Sequence, residues 1–175
     1  PASLNTSAGA AAKNISAPYR YPVTAKKYVS WIDPDSGNIS KRHPSPKKQN
    51  VYDALFELVK ILPHINNENL TILFPILEID EYRILDGWSY NKKRGSHRFE
   101  RMPTNLLDII KMSSDEDYIR YIPDELTMEF GSKEFAKSAK IDRSIASAVL
   151  KVMEAPGVLT RTENQGRAFQ YTRTD

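Results

Sequence analysis

The chain has 175 residues, 40% of them hydrophobic, which suffices for one good core or two small ones and is too little for a large multidomain enzyme. It has no cysteine, which excludes disulfides and cysteine-ligated zinc or iron–sulfur centres, and its three histidines, His43, His64 and His97, are too scattered to build a metal cluster. A net charge of +3 is only mildly basic, no stretch approaches the ~20 consecutive apolar residues of a membrane span, and no basic-then-apolar leader opens the chain; the expectation is a soluble cytoplasmic protein.

Residues 1–20 begin PASLNTSAGAAAKNIS, dominated by Ala, Ser and Asn with almost nothing large to bury, and read as a flexible tail or linker. The missing initiator methionine suggests a fragment or processed form, which leaves open that an upstream part carried chemistry. An α/β unit is expected over residues 21–111. In it, KKYVSWID is β-rich, DPDSG supplies a turn and NIS begins a return strand, so a hairpin is predicted. The following KRHPSPKK reads as an exposed basic loop, because two prolines deny regular pairing.

Asn50 caps a predicted helix VYDALFELVKIL, with Val51, Leu55, Leu58, Val59 and Leu62 at helical spacing and Pro63 stopping the run. LTILFPILEIDEYRIL then reads as a long or bent strand interrupted near Pro75. In DGWSYNKKRGSHRFERMP the cations Lys92, Lys93, Arg94 and Arg98 alternate with Trp88, Tyr90 and Phe99; such a loop can pair with phosphates and stack bases, or be a plain solvated charged loop. TNLLDIIKM closes the unit as a short helix capped by Thr104.

Residues 112–122 form an acidic linker. Met112 to Glu129 holds one arginine against six acidic residues, whereas Phe130 to Arg173 holds eight Lys or Arg against four acids. Over residues 123–175 the pattern predicts a winged helix-turn-helix. Ser132 caps a first helix, Ile141 and Asp142 turn, and RSIASAVLKVMEA continues with Ile145, Ala148, Val149 and Val152 on one stripe. Pro156 and Gly157 end it, and VLTRT and RAFQYTR form a hairpin around ENQG. The overall expectation is therefore α+β.

With that stripe inward, Arg143, Ser144, Ser147 and Lys151 face outward on a recognition helix of about 143–153 that fits the major groove. In a wing of about 158–173, Arg161, Arg167 and Arg173 supply charge, and Asn164 and Gln165 sit at the tip, where they touch phosphates or the minor groove. Double-stranded DNA is the expected partner. A polar outer face also suits a protein-docking module, so an adaptor role stays open.

The order YPVTAKKYVSWID, SPKKQNVYDALFELVKI, a strand ending LEIDEYR, a basic loop and a winged helix resembles an uncharacterised bacterial family whose members look like PD-(D/E)xK nuclease relatives. The resemblance covers about Tyr21 to Asp175 and implies a nuclease-like half with a DNA-binding module. The family's metal-binding acids lie upstream of the part matching Tyr21, and no position here corresponds to them. Within the chain, an enzymatic alternative would use Glu78, Asp80 or Glu81 as carboxylates for Mg²⁺, with Lys92, Lys93 or His97 nearby. The alternation of the strand equally makes Glu78 and Asp80 a solvent face. No cofactor is otherwise implied: Walker, GxGxxG, HExxH and GxSxG motifs are absent from the sequence.

Overall fold

The computed structural model describes residues 17–87, 95–162 and 169–174. The architecture is α+β; the described residues form a larger mixed sheet, a smaller antiparallel sheet and four α-helices. No helix among the described residues is long and apolar enough to cross a membrane.

The larger sheet is organised by β4 (Leu70–Ile84), a continuous strand of 15 residues. One edge pairs antiparallel with β5 (His97–Met112) through register shifts at three points. The other edge carries two parallel partners in succession, β1 (Ala17–Arg20) along Leu70 to Leu73 and β2 (Val23–Ile32) along Ile76 to Ile84. β3 (His43–Pro44) pairs antiparallel with β2.

Pro75 does not interrupt β4 as the sequence suggests. The Leu73 carbonyl accepts the Tyr21 amide at 3.1 Å, so Leu73 and, two residues on, Pro75 turn their backbone groups toward the β1/β2 edge. Pro75 falls between the residues paired with β1 and those paired with β2, where no partner needs its missing N–H.

Two further expectations are corrected. Residues 104–112 are the end of β5 rather than a helix capped by Thr104, because Leu106 to Met112 lie in ladder with β4 from Leu77 back to Ile72. The segment read as an unpaired basic loop returns along β2, with the Ser45 amide donating to the Lys27 carbonyl at 2.8 Å and His43 and Pro44 in register with Val29 and Tyr28.

The first helix, α1 (Val51–Glu57), is capped as expected. Asn50 accepts from the Asp53 amide and Asp53 accepts from the Asn50 amide, a reciprocal box that satisfies both donors. Beyond Glu57 the coil tightens to a 3₁₀ helix, Leu58–His64, which contains Pro63 instead of stopping at it. In the acidic segment, α2 (Asp115–Ile119) forms behind Ser114 and buries Tyr118.

The smaller sheet has the order β6 (Glu129–Gly131), β8 (Gln170–Arg173), β7 (Leu159–Thr162), all antiparallel. Between β6 and β7 come α3 (Ser132–Ala139) and α4 (Arg143–Glu154). One contiguous core joins the two sheets: Leu55 and Leu58 below α4, Phe74 of β4, Phe130, Phe135, Val149, Leu150 and Met153 are all buried in a single cluster. Each such side chain contributes roughly 1.5–3 kcal/mol relative to exposure.

Candidate nucleic-acid interface

The two helices meet at a tight turn. Lys140 closes α3 in the left-handed region, φ 54°, and the Ile141 amide reaches back to the Ala136 carbonyl at 3.0 Å, the i to i−5 bond that ends a helix abruptly. Asp142 takes the N-cap position of α4 with no side-chain capping bond.

α4 buries Ala146, Val149, Leu150, Val152 and Met153. The inward stripe is thus rotated from the Ile145/Ala148/Val149/Val152 set expected from spacing; only Val149 and Val152 are common to both, and Ile145 and Ala148 are half-buried. The rotation leaves the outward residues largely where they were expected. Arg143, Ser144 and Lys151 are exposed and Ser147 is half-buried.

Arg143, Ser147 and Lys151 recur every four residues along one face. They line an open cleft of about 200 Å³, closed on its other sides by Ser132, Phe169 and Tyr171. Arg143 Nε donates to Ser132 Oγ at 3.2 Å, which fixes the guanidinium at the cleft mouth. Arg161 is turned toward the helix, its Nε 3.3 Å from Glu154 Oε1 and its guanidinium 4.6 Å from the Phe169 ring centre. Arg173 donates to the Pro123 carbonyl at 2.9 Å and so ties the last strand to the segment before β6. Asn164, Gln165 and Arg167 lie outside the described residues, as do Lys92, Lys93 and Arg94.

The carboxylates at β4 occupy two different environments. Glu78 and Asp80 point to one face, where Arg42 bridges them, at 2.6 Å to Glu78 and 2.7 Å to Asp80, with its guanidinium 3.6 Å above the Tyr28 ring. The side-chain hydrogen bond from Arg42 holds the Glu78 carboxyl below its ordinary range. Among the described residues no group of three or more His, Asp or Glu side chains could hold a metal ion.

Glu81 points to the opposite face and is almost fully buried, 3% exposed. Arg83 and Arg101 each donate to it at 2.8 Å, and Lys27 and Arg98 lie 3.5 Å away. Burial alone would raise its pKa, but the hydrogen bonds from Arg101 and Arg83 and the charge of Lys27 outweigh it and bring the carboxyl down to about 2. His97 Nδ1 sits 2.9 Å from Asp86 Oδ2. Neither the Arg42 bridge nor the Glu81 cluster is visible in the sequence, since Arg42 reaches β4 from 36 residues away and, Arg83 apart, the cations around Glu81 come from β2 and β5.

Residues 20–113 match the family described as a domain of unknown function (DUF8091), more than half of the chain. The chain belongs to the DUF8091 family. No curated protein and no solved structure matches it. The DUF8091 segment contains β2 to β5 of the larger sheet and α1, and with them both carboxylate clusters, whereas α4 with Arg143, Ser147 and Lys151 lies C-terminal to it.

Proposed function

We propose that the last third of the chain is a winged helix that holds the protein on duplex DNA, with α4 in the major groove. The observation that carries this reading is the row Arg143, Ser147 and Lys151 along the outer face of α4, opening on the cleft beside Phe169. The order strand, helix, helix, two strands, with the last strand central in the sheet, supports this reading. The excess of cations after Phe130 supplies the phosphate attraction.

In this reading Arg143 and Lys151 pair with phosphates or with guanine edges, Ser144 and Ser147 contact either, and Arg161 flanks the groove from β7.

Fluorescence anisotropy with a labelled random duplex across a salt series tests it. The expected result is binding that weakens steeply with salt, with the Arg143→Ala/Lys151→Ala variant weaker at low salt and its log–log salt slope shallower by roughly two. Absence of binding at low salt overturns the reading and leaves α4 as a docking face for another protein.

A further inference from the structure

The Glu81 face of the larger sheet holds a cavity of about 270 Å³ unrelated to α4. Lys27, Val29 and Trp31 alternate along β2 to form one wall, Arg83 and Ser96 form the second, and Ser45 and Lys47 of the returning arm form the third. Lys27 is the informative residue. Its side chain is only 12% exposed, yet among the described residues its ammonium has one hydrogen-bonding partner, Glu81, at 3.5 Å, the outer limit of such a bond.

Glu81 is already satisfied by Arg83 and Arg101 at 2.8 Å, so it does not need Lys27. A largely buried ammonium with three donors and one long contact is costly unless something else accepts from it. The cavity lining holds three cations, Lys27, Lys47 and Arg83, against the single carboxylate of Glu81. Two hydroxyls add donors. Ser96 Oγ accepts from Arg83 Nε at 3.1 Å and Ser45 Oγ accepts from the Lys47 amide at 3.3 Å, which leaves each hydroxyl proton free to be donated into the cavity.

We propose that this cavity binds a phosphate monoester, its dianionic head between Lys27, Lys47 and the two hydroxyls and its organic body against Val29 and Trp31. Lys27, which keeps donors beyond its one 3.5 Å contact with Glu81, and Lys47 together suit a doubly charged head better than a carboxylate. The apolar wall distinguishes an esterified phosphate from the free ion. Arg83 and Arg101, locked on Glu81, keep the floor rigid.

Isothermal titration of the full chain with adenosine 5′-monophosphate, inorganic phosphate and adenosine tests the site. Adenosine monophosphate is expected to bind and adenosine not to bind, with the dissociation constant raised about tenfold or more in Lys27→Gln. Lys47→Gln and Ser45→Ala, on the rim, should weaken binding as well and guard against misfolding of the Lys27 variant. Inorganic phosphate is expected to bind more weakly than the nucleotide; the free ion binding as tightly would show that Val29 and Trp31 do not hold an organic body and would overturn the monoester. Failure of both phosphates to bind the unaltered chain, or nucleotide binding undiminished in a folded Lys27→Gln and in the rim variants, overturns the proposal. Duplex binding through α4 is a separate property that Lys27→Gln leaves unchanged.

Discussion

The Tyr52 hydroxyl of α1 donates to the backbone carbonyl of Tyr121 at 3.0 Å, and the two rings meet edge to face with centroids 6.2 Å apart. This contact links the DUF8091 segment to the chain that leads into β6, above a core both halves share. Burial raises the pKa of the Tyr52 hydroxyl further above neutrality, so it stays a donor across the accessible pH range. Tyr52→Phe should cost about 1 kcal/mol. Because the core is contiguous, urea unfolding followed by circular dichroism and by tryptophan fluorescence should give one coincident transition in both proteins; two separated transitions would contradict the shared core.

Glu81 makes acid stability a readout of the sheet. Its folded pKa of about 2 lies below the ordinary value of 4.5, so its contribution is complete above pH 4.5 and is lost as pH falls toward 2. That shift corresponds to roughly 3 kcal/mol. Urea midpoints measured from neutral pH down to pH 2 should show Glu81→Gln markedly less stable at neutral pH, with the gap closing through this window. A gap independent of pH would mean that the arginines do not hold the carboxylate as described.

Arg42 bears on the nuclease alternative. Arg42, stacked on Tyr28, holds one oxygen of Glu78 and one of Asp80 and neutralises charge that Mg²⁺ would need, so a metal ion here has to compete with the guanidinium. Supercoiled plasmid incubated with the chain and Mg²⁺ or Mn²⁺ should stay intact; nicking abolished by Glu78→Ala would overturn this. Arg42→Gln should lower stability at neutral pH, and the loss should fade in acid, since the pKa of Glu78 is lowered in the fold and its pairing is present only while it is ionised.

How far local sequence reaches is clear from three elements. α1 was legible because its cap and apolar spacing are local, and Asn50 and Asp53 sit three residues apart. α4 was legible as a helix but not in its phase: Ile145 to Met153 is apolar except for Ser147 and Lys151, so several stripes fit, and packing against α1 selects the one through Ala146, Leu150 and Met153. The stretch from Thr104 to Met112 has Leu106, Leu107 and Ile110 at helical spacing, and only the ladder to β4 makes it a strand. The site residues follow the same rule. Arg143 and Lys151 are read from one helix, whereas Lys27, Arg83 and Arg101 converge on Glu81 from three strands.

Lys140 sets stability against binding in the proposed DNA domain. It is the one described non-glycine residue with positive φ, and its position at the end of α3 is one that glycine occupies without strain. Lys140→Gly should therefore raise stability by about 1 kcal/mol, the relief of left-handed strain less glycine's greater loss of chain entropy, measured as an upward shift of the urea midpoint with the transition slope unchanged. The same residue carries a positive charge beside the start of α4. If α4 enters the groove, the stabilised variant should bind duplex more weakly at low salt and show a salt slope shallower by about one, independent of sequence. A gain in stability with no change in slope would place Lys140 outside the duplex footprint. A loss of stability would mean that the lysine side chain itself, and not the turn geometry, is what the fold uses at this position.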